Sequence, residues 1–326
     1  MKKTHYERLL NTDIFPMRKI FDGLSKELPE DFDWEMFCKS DFVKESVASA
    51  PQVVFHLYSY YSGSGRTYEV TDGIAEMLLN TKLNIDRSIV QSPFKEIIIK
   101  VPSGLLNVHN HDTGPHDLEC IYVNFNEEPD GTKAIKCMAV GRSNNDDPYD
   151  DAIFYFRVDL EPGLVIDSMK KSIAEWRQEP NFNEITSEKD VEVFPRFFQF
   201  TLNVLLYLTS HDCDIRKFQS EYPGLEAKLK GLKNPAKIRK LQKRMDKITK
   251  YPYYVIGSNI QISKEEQMLY SAIKGSGKHS VRYPVGGHWR MQPFGPKLAN
   301  RRAMWIKPHF RGPELAELIK SIGVMK

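Results

Sequence analysis

The sequence predicts an α+β fold: a mixed N-terminal and central body in which helices cover an antiparallel sheet, then a basic arm and a small β-rich C-terminal domain. Three observations predict it. Four segments rich in β-branched and aromatic residues lie mid-chain, two helical segments follow them, and Gly and Pro break up the end of the chain. With 326 residues, the chain is long enough for more than one compact unit.

The part of the chain before the predicted sheet is mainly helical. Helical pieces occupy residues 13–50, where aromatic side chains supply an apolar face, and a further helix covers 52–61 before a Ser-Gly-Ser-Gly break. Residues 66–70 alternate like a short strand. Thr71 then stands where an N-cap hydroxyl would begin the next helix.

The sheet is predicted from four strand-like segments, at residues 96–101, 119–125, 133–140 and 152–160. A Pro-Asp-Gly turn, residues 129–131, separates the second segment from the third and is typical of a hairpin. Short connections of this kind join antiparallel neighbours. The sequence therefore predicts an antiparallel sheet.

Two helices are predicted to cover one face of this sheet. The first begins at Asp167 and places Ile173 and Trp176 on one side, and the second contains the most apolar run of the chain, residues 197–210. That run contains Gln199 and Asn203 and is shorter than the roughly 20 residues of a membrane span, so it predicts a buried helix. The body is predicted to end after Asp214.

No targeting segment or cysteine framework is recognisable. The first residues are basic, but they lack an uninterrupted apolar stretch and a small-residue cleavage site, so no signal peptide is predicted. The cysteines form no Cys-x-x-Cys pair, which argues against a zinc module or a disulfide framework. Both features favour a location in the reducing cytoplasm. The cysteines are Cys38, Cys120, Cys137 and Cys213.

Charge divides the chain into two opposite parts. Residues 215–326 hold 24 Lys and Arg against 7 Asp and Glu, a net +17, whereas residues 1–214 hold 22 against 36, a net −14. Clustered cations favour a polyanion partner because binding releases its counterions; the alternative is that the basic part docks on the acidic part. The predicted domains are therefore an acidic body (1–214), a basic helical arm or linker (215–252) and a basic β-rich domain (253–326).

Three motifs suggest chemistry but have simpler explanations. Gly63 and Gly65 lack the Lys-Ser/Thr of a phosphate-binding loop and predict an ordinary loop. Residues 210–214, Ser-His-Asp-Cys-Asp, are too close together to face one another as a catalytic set and predict helix-end capping. Residues 126–130 and 144–151 are acidic and could supply ligands of a metal-dependent nuclease, but their turn-rich composition favours solvated loops.

A fourth motif is rich in histidine. His109, His111, Asp112 and His116 could gather around a divalent cation, yet they lie between two strand-like segments and next to Gly-Pro. A solvated hairpin is the favoured interpretation, and no metal or cofactor is predicted for the chain.

The end of the chain combines cations with aromatic rings. Arginine guanidinium groups suit phosphate, and aromatic rings stack on unpaired bases, so residues 282–311 predict a surface for single-stranded nucleic acid. The alternative is that the tryptophans form a small core that the arginines cover. The predicted contact residues are Arg282, Trp289, Arg290, Arg301, Arg302, Trp305, Lys307 and Arg311, with Phe294 and Phe310 as further stacking rings.

Histidine is the residue type best suited to proton transfer in this segment. His288 is the candidate catalytic residue, and His279 and His309 are further candidates, because general acid–base cleavage of RNA needs an imidazole near an activated hydroxyl.

Four stretches resemble a family found on phages and plasmids, that of the second type V-A anti-CRISPR protein, which inhibits biogenesis of a Cas effector. They are YYSGSGRTYEVTDGIAEMLLNT, VPSGLLNV, FTLNVLLYLTSHDCDIRK and VRYPVGGHWRMQPFGPKLANRRAMWIKPHFRGPE, in that order, and the resemblance covers about two thirds of the chain. One departure is Gly286-Gly287, which stands where the family often has Arg-Gly before the histidine.

The resemblance implies an inhibitor that recognises the N-terminal polypeptide of a nascent Cas effector and promotes loss of its mRNA. Its partners would be RNA or a ribosome–nascent-chain complex and that polypeptide, with no membrane. We assign peptide recognition to the acidic part and RNA contact to the basic part as a hypothesis. Whether the protein is itself a ribonuclease or recruits a host nuclease stays open. The alternatives are a protein-binding inhibitor without RNA activity and a metal-dependent nuclease.

Overall fold

The structure is a computed structural model. It describes residues 1–10, 16–47, 50–63, 65–110, 112–127, 131–145, 147–178, 188–260 and 283–311.

Helices and strands together make an α+β protein, as predicted. The helices are α1 (His5–Leu9), α2 (Met17–Glu27), α3 (Trp34–Lys39), α4 (Asp41–Ser46), α5 (Pro51–Ser62), α6 (Asp72–Leu79), α7 (Val165–Trp176), α8 (Glu188–Thr209), α9 (Tyr222–Lys230) and α10 (Pro235–Met245). The strands are β1 (Arg66–Val70), β2 (Thr81–Lys82), β3 (Glu96–Lys100), β4 (Asn107–Asn110), β5 (Gly114–Glu127), β6 (Lys133–Arg142), β7 (Ala152–Asp159), β8 (Ile215–Phe218), β9 (Tyr253–Ile256), β10 (Tyr283–Val285), β11 (Gly287–Phe294), β12 (Asn300–Ile306) and β13 (His309–Arg311).

The large sheet is mixed rather than wholly antiparallel. Its strands follow the order β7, β6, β5, β3, β1, β9, β8, with β4 also paired to β5. The four predicted strands β3, β5, β6 and β7 pair antiparallel. β1, however, runs parallel to both β3 and β9. Helix α6 lies between β1 and β3 in sequence and makes the long crossover that a parallel pair requires.

Alternating side chains of the central strand feed two separate cores. Ile97 and Ile99 point to the face covered by α6 and α8, and Ile98 points to the face covered by α1–α5. On the first face, Phe154 of β7 stacks on Phe197 of α8 with ring centroids 5.8 Å apart. The three consecutive isoleucines of β3 therefore reflect helices on both faces of the sheet.

The predicted helices take their expected places, with one difference in capping. α7 and α8 pack on the face of the sheet that holds Ile97, as predicted. Thr71 is the N-cap residue of α6, but its hydroxyl makes no capping bond and donates instead to the carbonyl of Gly257, at 3.1 Å. Thr71 is therefore the N-cap residue that the sequence predicts, although its hydroxyl bonds to the loop after β9 rather than to the helix.

Strands from the basic end of the chain pair with strands of its acidic part. β9 extends the large sheet beside β1, and β11 pairs in parallel with β2. The proposed division at residues 214 and 252 stays a prediction.

α9 and α10 form a helical hairpin in the basic arm, with Pro235 in the first turn of α10. No helix within the described ranges is long and apolar enough to cross a membrane.

Two short motifs have their predicted structure. β4 and β5 form a hairpin with Asn110 opposite Gly114, although His116 is buried rather than solvated and its Nε2 lies 2.6 Å from the Thr113 hydroxyl. At the end of α8, the Ser210 hydroxyl donates to the carbonyl of Tyr207, at 2.8 Å, as helix-end capping predicts.

The acidic segment 144–151 is only partly a solvated loop. Asp147 and Asp150 are exposed, but Asp151 is buried and accepts hydrogen bonds from Arg8 at 2.5 Å and from the main-chain N–H of Ser143 at 2.9 Å. The solvated-loop prediction is wrong for Asp151, because this carboxylate pairs with a buried guanidinium that lies 143 residues away in the sequence.

Candidate functional site

The predicted nucleic-acid-binding residues meet in one β-hairpin, formed by β11 and β12. The two strands pair antiparallel from His288 opposite Ile306 to Phe294 opposite Asn300. Gly295 begins the connecting turn with a φ of 78°, a conformation that glycine adopts without strain. We call the part of the hairpin next to β2 its base and the part next to the turn its distal half.

The base is anchored in the protein core by Trp289. This side chain is 5 % exposed, and its indole N–H donates to Oδ1 of Asn203 on α8 at 2.7 Å. The amide nitrogen of Asn203 donates in turn to the carbonyls of Leu78 and Thr81, at 2.8 Å each. A buried amide with several partners fixes both the end of α6 and the tryptophan ring.

Trp305 lies beside Trp289 in the paired register and is half-buried. Its indole N–H donates to the hydroxyl of Thr81 at 3.0 Å, and its ring packs edge-on against Tyr207, with ring centroids 5.3 Å apart. Trp289 and Trp305 stack with centroids 6.5 Å apart. The tryptophans therefore join the hairpin to the body, and Trp289 belongs to the main core rather than to a separate small one.

Gly287 permits the close contact between β11 and β2. A Cβ atom at this position would lie 2.4 Å from the Thr81 hydroxyl and 3.0 Å from Cδ of Pro308. Distances this short do not occur between non-bonded atoms, so only glycine fits without displacing a neighbour. The Gly-His-Trp sequence thus has a structural cause, namely close strand pairing followed by a buried anchor.

The distal half carries exposed cations. Arg290, Arg301 and Arg302 are exposed, as is Lys297 in the turn. Throughout the part of the chain that the structure describes, none of these four side chains pairs with a carboxylate. Cations without intramolecular partners remain available to an external polyanion.

Aromatic and aliphatic side chains lie among these cations. The guanidinium of Arg302 lies over the Phe294 ring, 5.4 Å from its centroid, and Phe294 is 38 % exposed. Met291 and Leu298 add exposed apolar surface, at 39 % and 62 %. An exposed ring with a cation on one face is the arrangement that stacks on unpaired bases.

Strand alternation distributes the cations over both faces of the hairpin. Arg302 stands opposite Gln292 and shares a face with Arg290, whereas Arg301 stands opposite Pro293 on the other face. A flexible single strand could contact both faces of such a ribbon by crossing its edge, whereas a flat, rigid surface could contact only one.

A cleft of about 540 Å³ adjoins β12. The turn after α8 forms one wall with Asp212 and Cys213, and Arg302, Trp305 and Lys307 form the opposite wall. Asp214 supports the cleft by accepting hydrogen bonds from the main-chain and side-chain amides of Asn259, at 2.7 and 2.9 Å. The folded chain thus brings the Ser-His-Asp-Cys-Asp motif next to the predicted nucleic-acid-binding strand.

Cys213, His288 and His309 are the groups of this site that could act as a nucleophile or a general base. Partial burial raises the pKa of the Cys213 thiol, which keeps it protonated and weakly nucleophilic. His288 is half-buried opposite Ile306, and no described side chain hydrogen-bonds its ring. The Nδ1 atom of exposed His309 lies 3.0 Å from the carbonyl of Lys307. A general base is normally oriented by a hydrogen-bond partner, and the described residues supply none for the His288 ring.

Several predicted residues lie outside the described residues. These are Arg282 and His279, together with the side chains of Arg311 and Phe310. The same holds for His111 of the histidine-rich motif. Among the residues that the structure does describe, no three His, Cys, Asp or Glu side chains converge as metal ligands would.

The prediction of a nucleic-acid surface missed the residues that hold the hairpin in place. Gln199 and Asn203 are four residues apart on α8 and therefore share a helix face; the amide of Gln199 donates to the carbonyls of Leu79 and Thr81, at 2.8 and 2.9 Å. Two amide side chains at this spacing in the most apolar run of the chain were visible in the sequence. They indicated a buried polar contact, but not its partner.

Comparison with known proteins gives a family match. The model of the AcrVA2-like family, described as the anti-CRISPR type V subtype A2 family, matches residues 68–310, about three quarters of the chain. Among solved structures, a crystal structure of AcrVA2 is similar at 16 % sequence identity with a TM-score of 0.42, over 94 % of this chain and 90 % of that chain. No curated protein matches the chain.

Proposed function

The chain belongs to the anti-CRISPR type V subtype A2 family, as its sequence resemblance predicted, and from this premise we propose that it blocks production of a Cas effector by recognising the effector's nascent chain and promoting loss of its mRNA. Membership in the family implies a Cas-related target. The proposal adds RNA contact through the distal half of the β11–β12 hairpin.

One observation carries the RNA contact: exposed arginines without carboxylate partners stand on a ribbon whose base is buried. Arg290, Arg301 and Arg302 are held at a fixed spacing because Trp289 and Trp305 anchor their strands to the body. Preorganised cations lose little conformational freedom when they bind phosphate, and exposed Phe294 offers a stacking ring.

Binding with recruitment of a host nuclease is the favoured form of the proposal. His288 lacks a described partner that would orient it as a general base, and the carboxylates near the cleft do not form a described metal-ligand cluster. Loss of the message would then depend on the protein holding its target RNA, and the cleaving enzyme would be supplied by the cell.

A co-expression experiment tests the function. The protein is expressed with a type V-A effector gene while effector message and protein are both followed. We expect both message and protein to fall. Both should recover when a frameshift confined to the first codons makes nearly the same RNA encode another N-terminal peptide. Synonymous recoding of those codons should preserve the loss. An unchanged message with a fall in effector activity would contradict the proposal and favour a protein-binding inhibitor.

RNA binding is tested separately with matched variants. Replacing Arg290, Arg301 and Arg302 by alanine should weaken binding to a single-stranded RNA probe, and replacing three exposed cations of α2 should not; these are Arg18, Lys19 and Lys26. Both variants lose three charges, so only position differs. No RNA binding by the wild-type protein at low salt would refute the contact. RNA cleavage by the purified protein that stops in EDTA would instead favour the metal-dependent nuclease.

A further inference from the structure

The hairpin of α9 and α10 stands outside the two cores of the protein. The two helices contact each other, and each has one buried apolar residue, Leu225 and Met245, that belongs to neither core cluster. The ends of the hairpin are joined to the body by polar contacts, among them the main-chain N–H of Lys250 with Oε1 of Glu7 at 2.8 Å. The hairpin therefore lies outside both apolar cores.

A groove of about 570 Å³ lies between these two helices. Its floor is apolar, formed by Ala227, Leu232 and Leu241, and both leucines are half-buried. Half-buried leucines leave part of their apolar surface in water. Burial of that surface by a partner lowers the free energy.

Cations rim this apolar floor. They are Lys228, Lys237, Lys240 and Arg244, all exposed. Arg244 pairs with Glu221 at 2.5 Å, whereas within the described residues the three lysines have no carboxylate partner. An apolar floor between rows of uncompensated lysines is complementary to a surface that is apolar in the centre and acidic at both edges.

We propose that this groove docks an acidic amphipathic helix of a partner protein, with apolar side chains on Leu232 and Leu241 and carboxylates on the lysine rim. The groove follows α10, whose 11 residues extend about 16 Å at 1.5 Å per residue, enough for three turns of a bound helix. Apolar anchors spaced i, i+4 and i+7 would then enter the groove together.

The apolar floor distinguishes this partner from RNA. A sugar–phosphate backbone would satisfy the lysines but leave Leu232 and Leu241 uncovered, whereas an amphipathic helix covers both the apolar and the cationic surfaces. The site is also separate from the β11–β12 hairpin and goes beyond the proposed RNA contact. The basic arm thus becomes a protein-docking element rather than a second RNA surface.

The test uses the full chain and a labelled designed peptide of about 18 residues, helical, with leucines at i, i+4, i+7 and i+11 and glutamates on its other face. Binding is followed by fluorescence anisotropy. Lys237→Glu/Lys240→Glu should weaken binding at least about tenfold, since like charges then face each other. The matched variant Lys230→Glu/Lys243→Glu changes the same charge at exposed positions that do not line the groove, and should weaken it less than about threefold.

Further measurements distinguish an acidic amphipathic helix from other occupants of the groove. A peptide with serines in place of leucines should not bind; equal binding would reduce the site to unspecific charge attraction and overturn the proposal. Displacement of the leucine peptide by a single-stranded RNA, or equal losses in the two double variants, would also overturn it. Self-association of the chain that the leucine peptide reverses would assign the groove to a second copy. The variant lacking Arg290, Arg301 and Arg302 should bind the peptide normally, so failure of RNA binding leaves this result intact.

Discussion

The base and the distal half of the β11–β12 hairpin differ in almost every physical respect, although the same two strands form both. At the base, Trp289 is buried and hydrogen-bonded to Asn203, and Gly287 allows β2 to pair closely. In the distal half, Arg290 and Arg302 are exposed on one face and Arg301 on the other. Within about eight residues of each strand, the hairpin therefore changes from a part that is anchored in the body to a part that exposes cations.

This separation assigns a structural role to the Gly-His-Trp sequence at residues 287–289. Gly287 and Trp289 are explained by packing, with no need for a ligand. The charged residues that remain available for a partner lie beyond them, toward the turn. Mutations at the base should consequently act on stability, and mutations in the distal half should act on binding.

The largest effect is expected for Trp289→Ala. Removing this buried ring leaves a cavity and leaves Oδ1 of Asn203 without its donor, and we expect a loss of about 3–5 kcal/mol in the free energy of unfolding. Chemical denaturation followed by circular dichroism measures it. Full stability together with impaired RNA binding would reverse the roles assigned to the two halves.

The second prediction concerns Arg290, Arg301 and Arg302 together. Each phosphate contact on a single strand contributes about 0.7 to the slope of log affinity against log salt, so loss of three contacts should lower that slope by about 2 and weaken binding about 100-fold at 0.1 M salt. Titrations of a single-stranded RNA at several salt concentrations measure both values. The unfolding free energy should stay unchanged, and a large fall would show that the distal half also supports the fold.

A smaller effect is expected for Asn203→Ala. The substitution leaves the Trp289 indole N–H and a main-chain carbonyl without their partner, which costs about 1–3 kcal/mol of unfolding free energy. A double-mutant cycle with Trp289→Phe, which removes the same hydrogen bond from the other side, isolates the interaction. Additive losses in the cycle would mean that the two side chains are not coupled.

The smallest effect is expected for Gly295→Ala in the turn. A Cβ atom at a φ of 78° is strained, and it would lie 2.9 Å from Nδ2 of Asn300, so we expect a loss of about 1 kcal/mol. The measurement is again the unfolding free energy, with Gly224→Ala as a control, because a Cβ there meets no atom within 4 Å. Equal losses in both variants would remove the turn as the cause.

The sequence predicted the sheet well where neighbours along the chain also pair in space. β5 and β6 are consecutive strands and pair antiparallel, and the Pro-Asp-Gly sequence between them is a local signal that predicts such a pair. The parallel pairing of β1 with β9 joins residues such as Tyr68 and Tyr254, and no local pattern encodes a contact at that separation. The same limit hid the partner of Asp151, which is Arg8.

For the candidate site, too, the sequence showed the local features but not the long-range contacts. Residue type alone predicted the arginines as candidate phosphate contacts, and the structure shows that Arg290, Arg301 and Arg302 are exposed. The buried role of Trp289 depends on Asn203, 86 residues away, and the anchoring of Trp305 depends on Thr81, 224 residues away. Tertiary contacts of this range become visible only in the folded chain.

These long separations also set an order of events during folding. A hairpin whose base needs Thr81 and Asn203 cannot dock until α6, β2 and α8 have assembled, because closing loops of this length is slow and is compensated only by contacts already in place. Synthesis from the N-terminus makes the same elements available first. The distal half of the β11–β12 hairpin is therefore among the last surfaces to form. It can form only on a body that has already folded.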